Sequence, residues 1–117
     1  MIIAGNWKMN PSLAVAGQLA NALTVRRFEP VTRILFAPHP YLVPMSVRLE
    51  GSDVRLGGQD CHQDLSGAHT GDVSAAMLRD CGASLVLLGH SERRANHGET
   101  SALIAAKAAR ALAHDLD

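Results

Sequence analysis

The sequence has few cysteines, no excess of one charge and no long apolar run. Its two cysteines, Cys61 and Cys81, cannot form a disulfide framework, which favours a reducing compartment. Eleven basic and eleven acidic residues cancel, which argues against a nucleic-acid or anionic-membrane partner. No stretch approaches the roughly 20 apolar residues of a membrane span, and no basic segment precedes the apolar N-terminus as in a signal peptide. We therefore expect a cytoplasmic protein.

The motifs of metal and nucleotide sites are also missing. None of the six histidines forms an H-x-x-x-H pair, and no C-x-x-C pair accompanies them, so we expect no metal site. The sequence has neither G-x-G-x-x-G nor a Walker-type loop, and the turn after the first apolar segment lacks the glycines of a dinucleotide cradle. We expect no cofactor.

Apolar segments alternate with helical patterns along the chain. The segments that predict strands are residues 2–8, 33–38, 53–60 and 84–90. Those that predict helices are residues 13–23, 41–49, 73–82 and 98–116. The strands are continuously apolar, which is typical of a parallel sheet covered by helices. The length suits one α/β domain, residues 1–117.

The last predicted helix is rich in alanine, so its packed face has to be chosen from spacing alone. The residues that fit an apolar stripe on it are Leu103, Ala106, Ala109, Ala113 and Leu116.

Functional groups of parallel α/β folds gather at the carboxyl ends of the strands. Asn6 and Lys8 end the first predicted strand. If the chain stays extended there, both face the functional end while Trp7 packs under the helices. The alternative is a solvated strand terminus with no function.

His90 ends the fourth predicted strand, directly before Ser91 and Glu92, which suit the first turn of a helix. The positive end of a helix dipole disfavours an imidazolium, so His90 is expected to be neutral and able to donate a hydrogen bond to a carbonyl. A lone histidine here is more often structural than catalytic, and the strand-end Lys8 is what brings the catalytic interpretation level with the structural one.

The connection from Gln59 to Asp72 is longer than most strand–helix loops. Gly67 and Gly71 predict a defined excursion rather than disorder. Long ordered loops at the functional face tend to bind something, and a partner protein is one candidate.

Three stretches together resemble one family. They are "GNWKMN" (5–10), "GAHTGDVSAAMLRDCGASLVLLGHSERR" (67–94) and "GET" (98–100). In this order and spacing they are similar to the N-terminal half of the triosephosphate isomerase family. The resemblance implies the first four βα units of a TIM barrel, that is, half of a (β/α)₈ fold.

The resemblance also implies roles for individual residues. Asn6 and Lys8 match the substrate-binding pair, Lys8 being catalytic as well because its charge faces the phosphate and the enediolate. His90 matches the neutral catalytic electrophile, with Ser91 and Glu92 supporting it.

Three further positions match the family's dimer contact. Thr70 matches a loop tip that enters the neighbouring subunit's site, and Asp72 and Arg93 match a pair that braces the interface. The chain departs from the family at Asp72, where glutamate is usual, at His69, where an aromatic is usual, and at Asp60, where asparagine is common.

The implied reaction interconverts dihydroxyacetone phosphate and D-glyceraldehyde 3-phosphate, in glycolysis and gluconeogenesis. The implied assembly is a homodimer that uses no metal or cofactor. The family's base, mobile lid and main phosphate loops have no counterpart in residues 1–117, so the chain alone is expected to be inactive. The alternative is a non-catalytic half-barrel that acts as an assembly or interaction module. Another phosphosugar barrel enzyme fits the fold but not the motifs.

Overall fold

A computed structural model describes all residues from 1 to 117. The strands are β1 (Ile2–Asn6), β2 (Thr32–Phe36), β3 (Val54–Gly58) and β4 (Leu85–Val86). The α-helices are α1 (Leu13–Thr24), α2 (Leu42–Leu49), α3 (Ala75–Asp80), α4 (Ser91–His97) and α5 (Ser101–Leu112), and a 3₁₀ turn at His39–Tyr41 precedes α2. No helix is both long and apolar enough to cross a membrane.

The four strands form one parallel sheet in the order β1-β2-β3-β4. Asn6 is in register with Phe36, and Phe36 with Gly57, so the carboxyl ends of neighbouring strands lie at the same edge of the sheet. This arrangement confirms the predicted fold class, the first βα units of a TIM barrel.

The first strand is shorter than its apolar pattern predicts. Residues 2–8 were expected to be extended, but β1 ends at Asn6 and Lys8 has φ 54° in the left-handed region. The extended geometry expected at Lys8 is therefore wrong. Trp7 does pack against the buried core as predicted, and its amide still donates to the Phe36 carbonyl at 3.0 Å.

The fourth strand is shorter still. It was expected over residues 84–90, and only Leu85 and Val86 are strand. The amide of Leu87 continues the ladder by donating to the Gly58 carbonyl at 2.9 Å. Gly89 then takes φ 67° and turns the chain into α4.

The core lies between the sheet and its helices, and α2 supplies its largest helical share with Leu42, Met45 and Leu49. The apolar stripe expected on the last helix is wrong at Ala106, Ala109 and Ala113, which are exposed, whereas Leu116, beyond the end of α5, is buried as expected. Lys107 and Ala111 are the buried residues of α5. A lysine is tolerated there because its ammonium is ion-paired.

Candidate active site

A cavity of about 590 Å³ lies at the carboxyl ends of the strands. Its lining includes Asn6 and Lys8 after β1 together with His90, Glu92 and Arg93 at the start of α4. The structure therefore brings together side chains from the two outer strands of the sheet, as the strand-end positions predicted.

The amide side chains of Asn6 and Gln59 hold the end of β1. Asn6 Oδ1 accepts the Lys8 backbone amide at 2.8 Å, which stabilises the left-handed turn. Gln59 Nε2 lies 3.2 Å from Asn6 Oδ1, 3.0 Å from the Lys8 carbonyl oxygen and 3.2 Å from the Phe36 carbonyl oxygen. Asn6 thus positions Lys8 through the backbone.

Lys8 and Glu92 form an ion pair across the mouth of the cavity. Lys8 Nζ donates to Glu92 Oε1 at 2.5 Å, and about half of each side chain is exposed. The hydrogen bond from Lys8 holds the pKa of Glu92 below its usual range. Glu92 is therefore a carboxylate near neutral pH, and the Lys8 ammonium stays within reach of a bound anion.

His90 begins helix α4 with its own side chain. Its Nδ1 accepts the backbone amide of Glu92 at 3.1 Å, so His90 is the N-cap and Ser91 is the first helical residue. An imidazolium carries a proton on Nδ1 and cannot accept there. In this contact Nδ1 is an acceptor, which leaves Nε2 as the donor of the ring, and Nδ1 also lies 3.6 Å from Glu92 Oε2. That His90 acts as a neutral donor stays a prediction.

A four-residue ion cluster, Asp60, Arg93, Glu99 and Lys107, holds α4 against α5. Lys107 Nζ donates to Asp60 Oδ1 at 2.8 Å and to Glu99 Oε1 at 2.6 Å. Arg93 Nη2 lies 2.9 Å from Asp60 Oδ2 as an ion pair, and Arg93 Nε donates to Glu99 Oε1 at 2.8 Å. These bonds fix the helix whose first turn carries the site.

Glu99 is ionised within this cluster although its side chain is only 3% exposed. Burial is the largest single influence on its pKa and raises it. The hydrogen bonds from Lys107 and Arg93, together with the positive charges of these two side chains, outweigh burial and hold the pKa of Glu99 below its usual range.

The three residues matched to the dimer contact do not contact one another in this chain. Arg93 is bound to Asp60 and Glu99, whereas Asp72 Oδ2 lies 3.7 Å from His62 Nε2. Within one chain the Arg93–Asp72 pair is not formed. Thr70 is exposed on the loop before α3 and does not line the cavity of its own chain.

Sequence reasoning missed Gln59 and the partners of Arg93. Gln59 follows β3, so the strand-end rule was the signal that would have found it. The Lys107–Asp60 contact joins residues 47 positions apart, and no local pattern announces it.

The arrangement can bind an anion at Lys8 and polarise a carbonyl through His90. It offers no free carboxylate base, because Glu92 is the only carboxylate that lines the cavity and is held by Lys8. An effective base has a pKa near the operating pH, which Glu92 does not.

Comparison with known proteins gives one consistent result. The family model described as triosephosphate isomerase matches residues 1–117. Triosephosphate isomerase of Caulobacter vibrioides is 51% identical over 118 aligned positions, which cover 99% of this chain and 47% of that protein. The Ruegeria pomeroyi protein of the same name is 50% identical over 111 positions, covering 95% of this chain and 44% of the relative.

The crystal structure of triosephosphate isomerase from Bartonella henselae superimposes with a TM-score of 0.87 at 40% identity. The match covers 98% of this chain and 48% of that structure. The chain therefore spans about half the length of the proteins it resembles.

Proposed function

The chain belongs to the triosephosphate isomerase family, and on that premise we propose that residues 1–117 form a single domain that carries one half of the family's active site. The reaction is the interconversion of dihydroxyacetone phosphate and D-glyceraldehyde 3-phosphate. One observation carries the proposal: Lys8 after β1 and His90 after β4 line the same cavity, and Nδ1 of His90 accepts the Glu92 amide, which leaves Nε2 as the donor.

Asn6 and Lys8 bind the substrate in this proposal. The Lys8 ammonium attracts the phosphate and stabilises the negative charge that develops on the enediolate. Asn6 accepts the Lys8 amide and so fixes the direction from which that ammonium enters the cavity.

His90 acts as the electrophile. A hydrogen bond from Nε2–H to the substrate carbonyl oxygen withdraws electron density and makes the neighbouring carbon-bound proton easier to remove. Glu92 supports this role twice, because its amide binds Nδ1 of His90 and its carboxylate binds Lys8. Ser91 supports it as the first residue of α4.

Proton removal from carbon needs a base that these residues do not supply. A positioned base contributes about 10²–10⁴-fold, so we expect the 117-residue chain alone to show no turnover above background. We also propose that the complete enzyme is a cytoplasmic homodimer, with Thr70, Asp72 and Arg93 at the interface, which agrees with the exposed position of Thr70.

A chimera tests the proposal directly. Residues 1–117 are joined to the remainder of the Caulobacter vibrioides relative, and isomerase turnover is measured. We expect an active chimera that loses about 10²–10⁴-fold in kcat/KM on Lys8→Met or His90→Gln. Arg26→Met, which removes an exposed cation away from the cavity, is the matched control and should retain activity.

Clear turnover by the verified 117-residue chain would contradict the missing base. A folded but inactive chimera would favour the alternative, a non-catalytic half-barrel that acts as an assembly or interaction module. One observation favours that alternative: Ile2 and Ile3 on the edge strand β1 are 68% and 55% exposed.

A further inference from the structure

The loop between β3 and α3 gathers three metal-ligating side chains, His62, Asp64 and His69. Asp64 Oδ2 lies 3.1 Å from His69 Nε2 and 3.9 Å from His62 Nδ1, and one potential ligand atom from each residue lies within 4.8 Å of the others. The two imidazole rings stack with centroids 4.0 Å apart. None of the three lines the cavity that holds Lys8 and His90.

The loop backbone holds this cluster together. The His62 amide donates to the Val73 carbonyl at 2.8 Å and closes the base of the loop. The Asp72 amide donates to the His69 carbonyl at 3.0 Å, forming a turn just after His69. The loop therefore brings His69 back over His62, although their spacing in sequence matches no metal motif.

We propose that His62, Asp64 and His69 bind one Zn²⁺ ion, with solvent completing the coordination. Bonds of about 2.0–2.2 Å from zinc to nitrogen and oxygen keep two ligand atoms within about 4.2 Å of each other. Both distances from Asp64 Oδ2 already meet that condition. One ligand atom from each residue lies within 4.8 Å of the others, so a pair of ligand atoms at that limit would have to approach by less than about 1 Å.

The protonation of His62 already suits a metal at Nδ1. This nitrogen accepts the Asp64 backbone amide at 3.0 Å, so its lone pair is free of a proton and the proton lies on Nε2. Nε2 lies 3.7 Å from Asp72 Oδ2, too far for a hydrogen bond, so Asp72 would have to approach by several tenths of an ångström to orient the ring as carboxylates orient metal-ligating histidines. Zinc would replace the amide at Nδ1, and His69 would carry its proton on Nδ1 to free Nε2.

The ligand set favours zinc over the hard cations. Two imidazoles and one carboxylate suit zinc and other divalent first-row transition metals, whereas Mg²⁺ and Ca²⁺ prefer oxygen ligands. Asp64 and Asp72 together balance the charge of one divalent ion. The Asp64 side chain is 51% exposed, which leaves an open face for entry and for a water ligand.

Zinc binding to the chelator-treated 117-residue chain tests the proposal. Isothermal titration should give one Zn²⁺ per chain, not displaced by millimolar Mg²⁺. Asp64→Asn and His69→Phe should each weaken binding at least tenfold, whereas His114→Gln, a histidine at the end of α5, should leave it unchanged. Absence of saturable binding, or equal affinity in all three variants, would overturn the proposal.

A second readout separates loss of a ligand from loss of the loop. In ¹⁵N-histidine spectra, zinc should shift the ring signals of His62 and His69 and leave that of His114 in place. Turnover is measured on the chimera without zinc, so zinc binding to the 117-residue chain and isomerase activity are independent results. Shifts confined to other histidines would contradict the assignment.

Discussion

Lys107→Met should be among the most destabilising single substitutions in this chain. The Lys107 ammonium bonds both oxygens of Asp60, at 2.8 and 2.9 Å, and Glu99 Oε1 at 2.6 Å, and its side chain is 5% exposed. Its removal leaves two largely buried carboxylates that share Arg93. Breaking a buried ion pair by removing one partner costs about 3–5 kcal/mol. Because domains are stable by only about 5–15 kcal/mol, much of the total would be lost.

The assay is urea-induced unfolding of the chimera, followed by circular dichroism at one fixed protein concentration. Asp117→Asn is the control, because it breaks the exposed Arg55–Asp117 pair and exposed pairs contribute little. The double variant Lys107→Met/Glu99→Gln should recover part of the loss, since it removes the unpaired charge.

The effect also has a defined pH dependence. The folded pKa of Glu99 is lowered, so its contribution is fully present above the unfolded value of about 4.3 and disappears as the pH falls through the folded value. In Lys107→Met, protonation of Glu99 removes the charge that has lost its partner. The difference in the free energy of unfolding between this variant and the parent protein should therefore become smaller in acid. Equal stability of parent and variant at neutral pH, or a double variant no better than the single one, would refute this reasoning.

Two further predictions concern packing and thiol chemistry. Gly57→Ala should lower the free energy of unfolding in urea by about 1–3 kcal/mol, because the added Cβ would lie 2.3 Å from Leu85 Cδ1. Gly5→Ala is the control, because its Cβ would meet no atom closer than 3.9 Å. Equal losses of stability in the two variants would count against the steric cause. Burial raises the pKa of the Cys61 thiol to about 11, so iodoacetamide at pH 8 should modify only the half-buried Cys81 until urea is added. Mass spectrometry counts the modified cysteines. Prompt modification of both cysteines in the native chain would show that Cys61 is accessible.

The sequence predicted the topology well because continuous apolar strands leave few alternatives to a helix-covered parallel sheet. It predicted the packed face of α5 poorly, since alanine fits either a buried or an exposed face. Lys107 was not among the residues expected on the packed face, because no local pattern reveals its contacts with Asp60 and Glu99. Tertiary ion pairs determine which face of α5 is buried, and hydrophobic periodicity does not reveal them.

The candidate site was partly predictable for a similar reason. Lys8 and His90 end apolar segments, and the carboxyl edge of a parallel sheet collects such positions. The roles of these residues remain predictions. His62 and His69 lie in a loop, where spacing does not fix direction, so only the folded turn reveals that their rings stack.

The left-handed backbone of Lys8 sets two selective pressures against each other. A non-glycine residue in that region is disfavoured by about 1–2 kcal/mol, whereas glycine or asparagine occupies it more easily. A lineage released from binding an anion would gain stability by exchanging the lysine for either residue. If Lys8 binds an anion as proposed, a lysine kept at this backbone position reflects selection for its charge, and a change to glycine or asparagine among descendants would be an early sign of lost function.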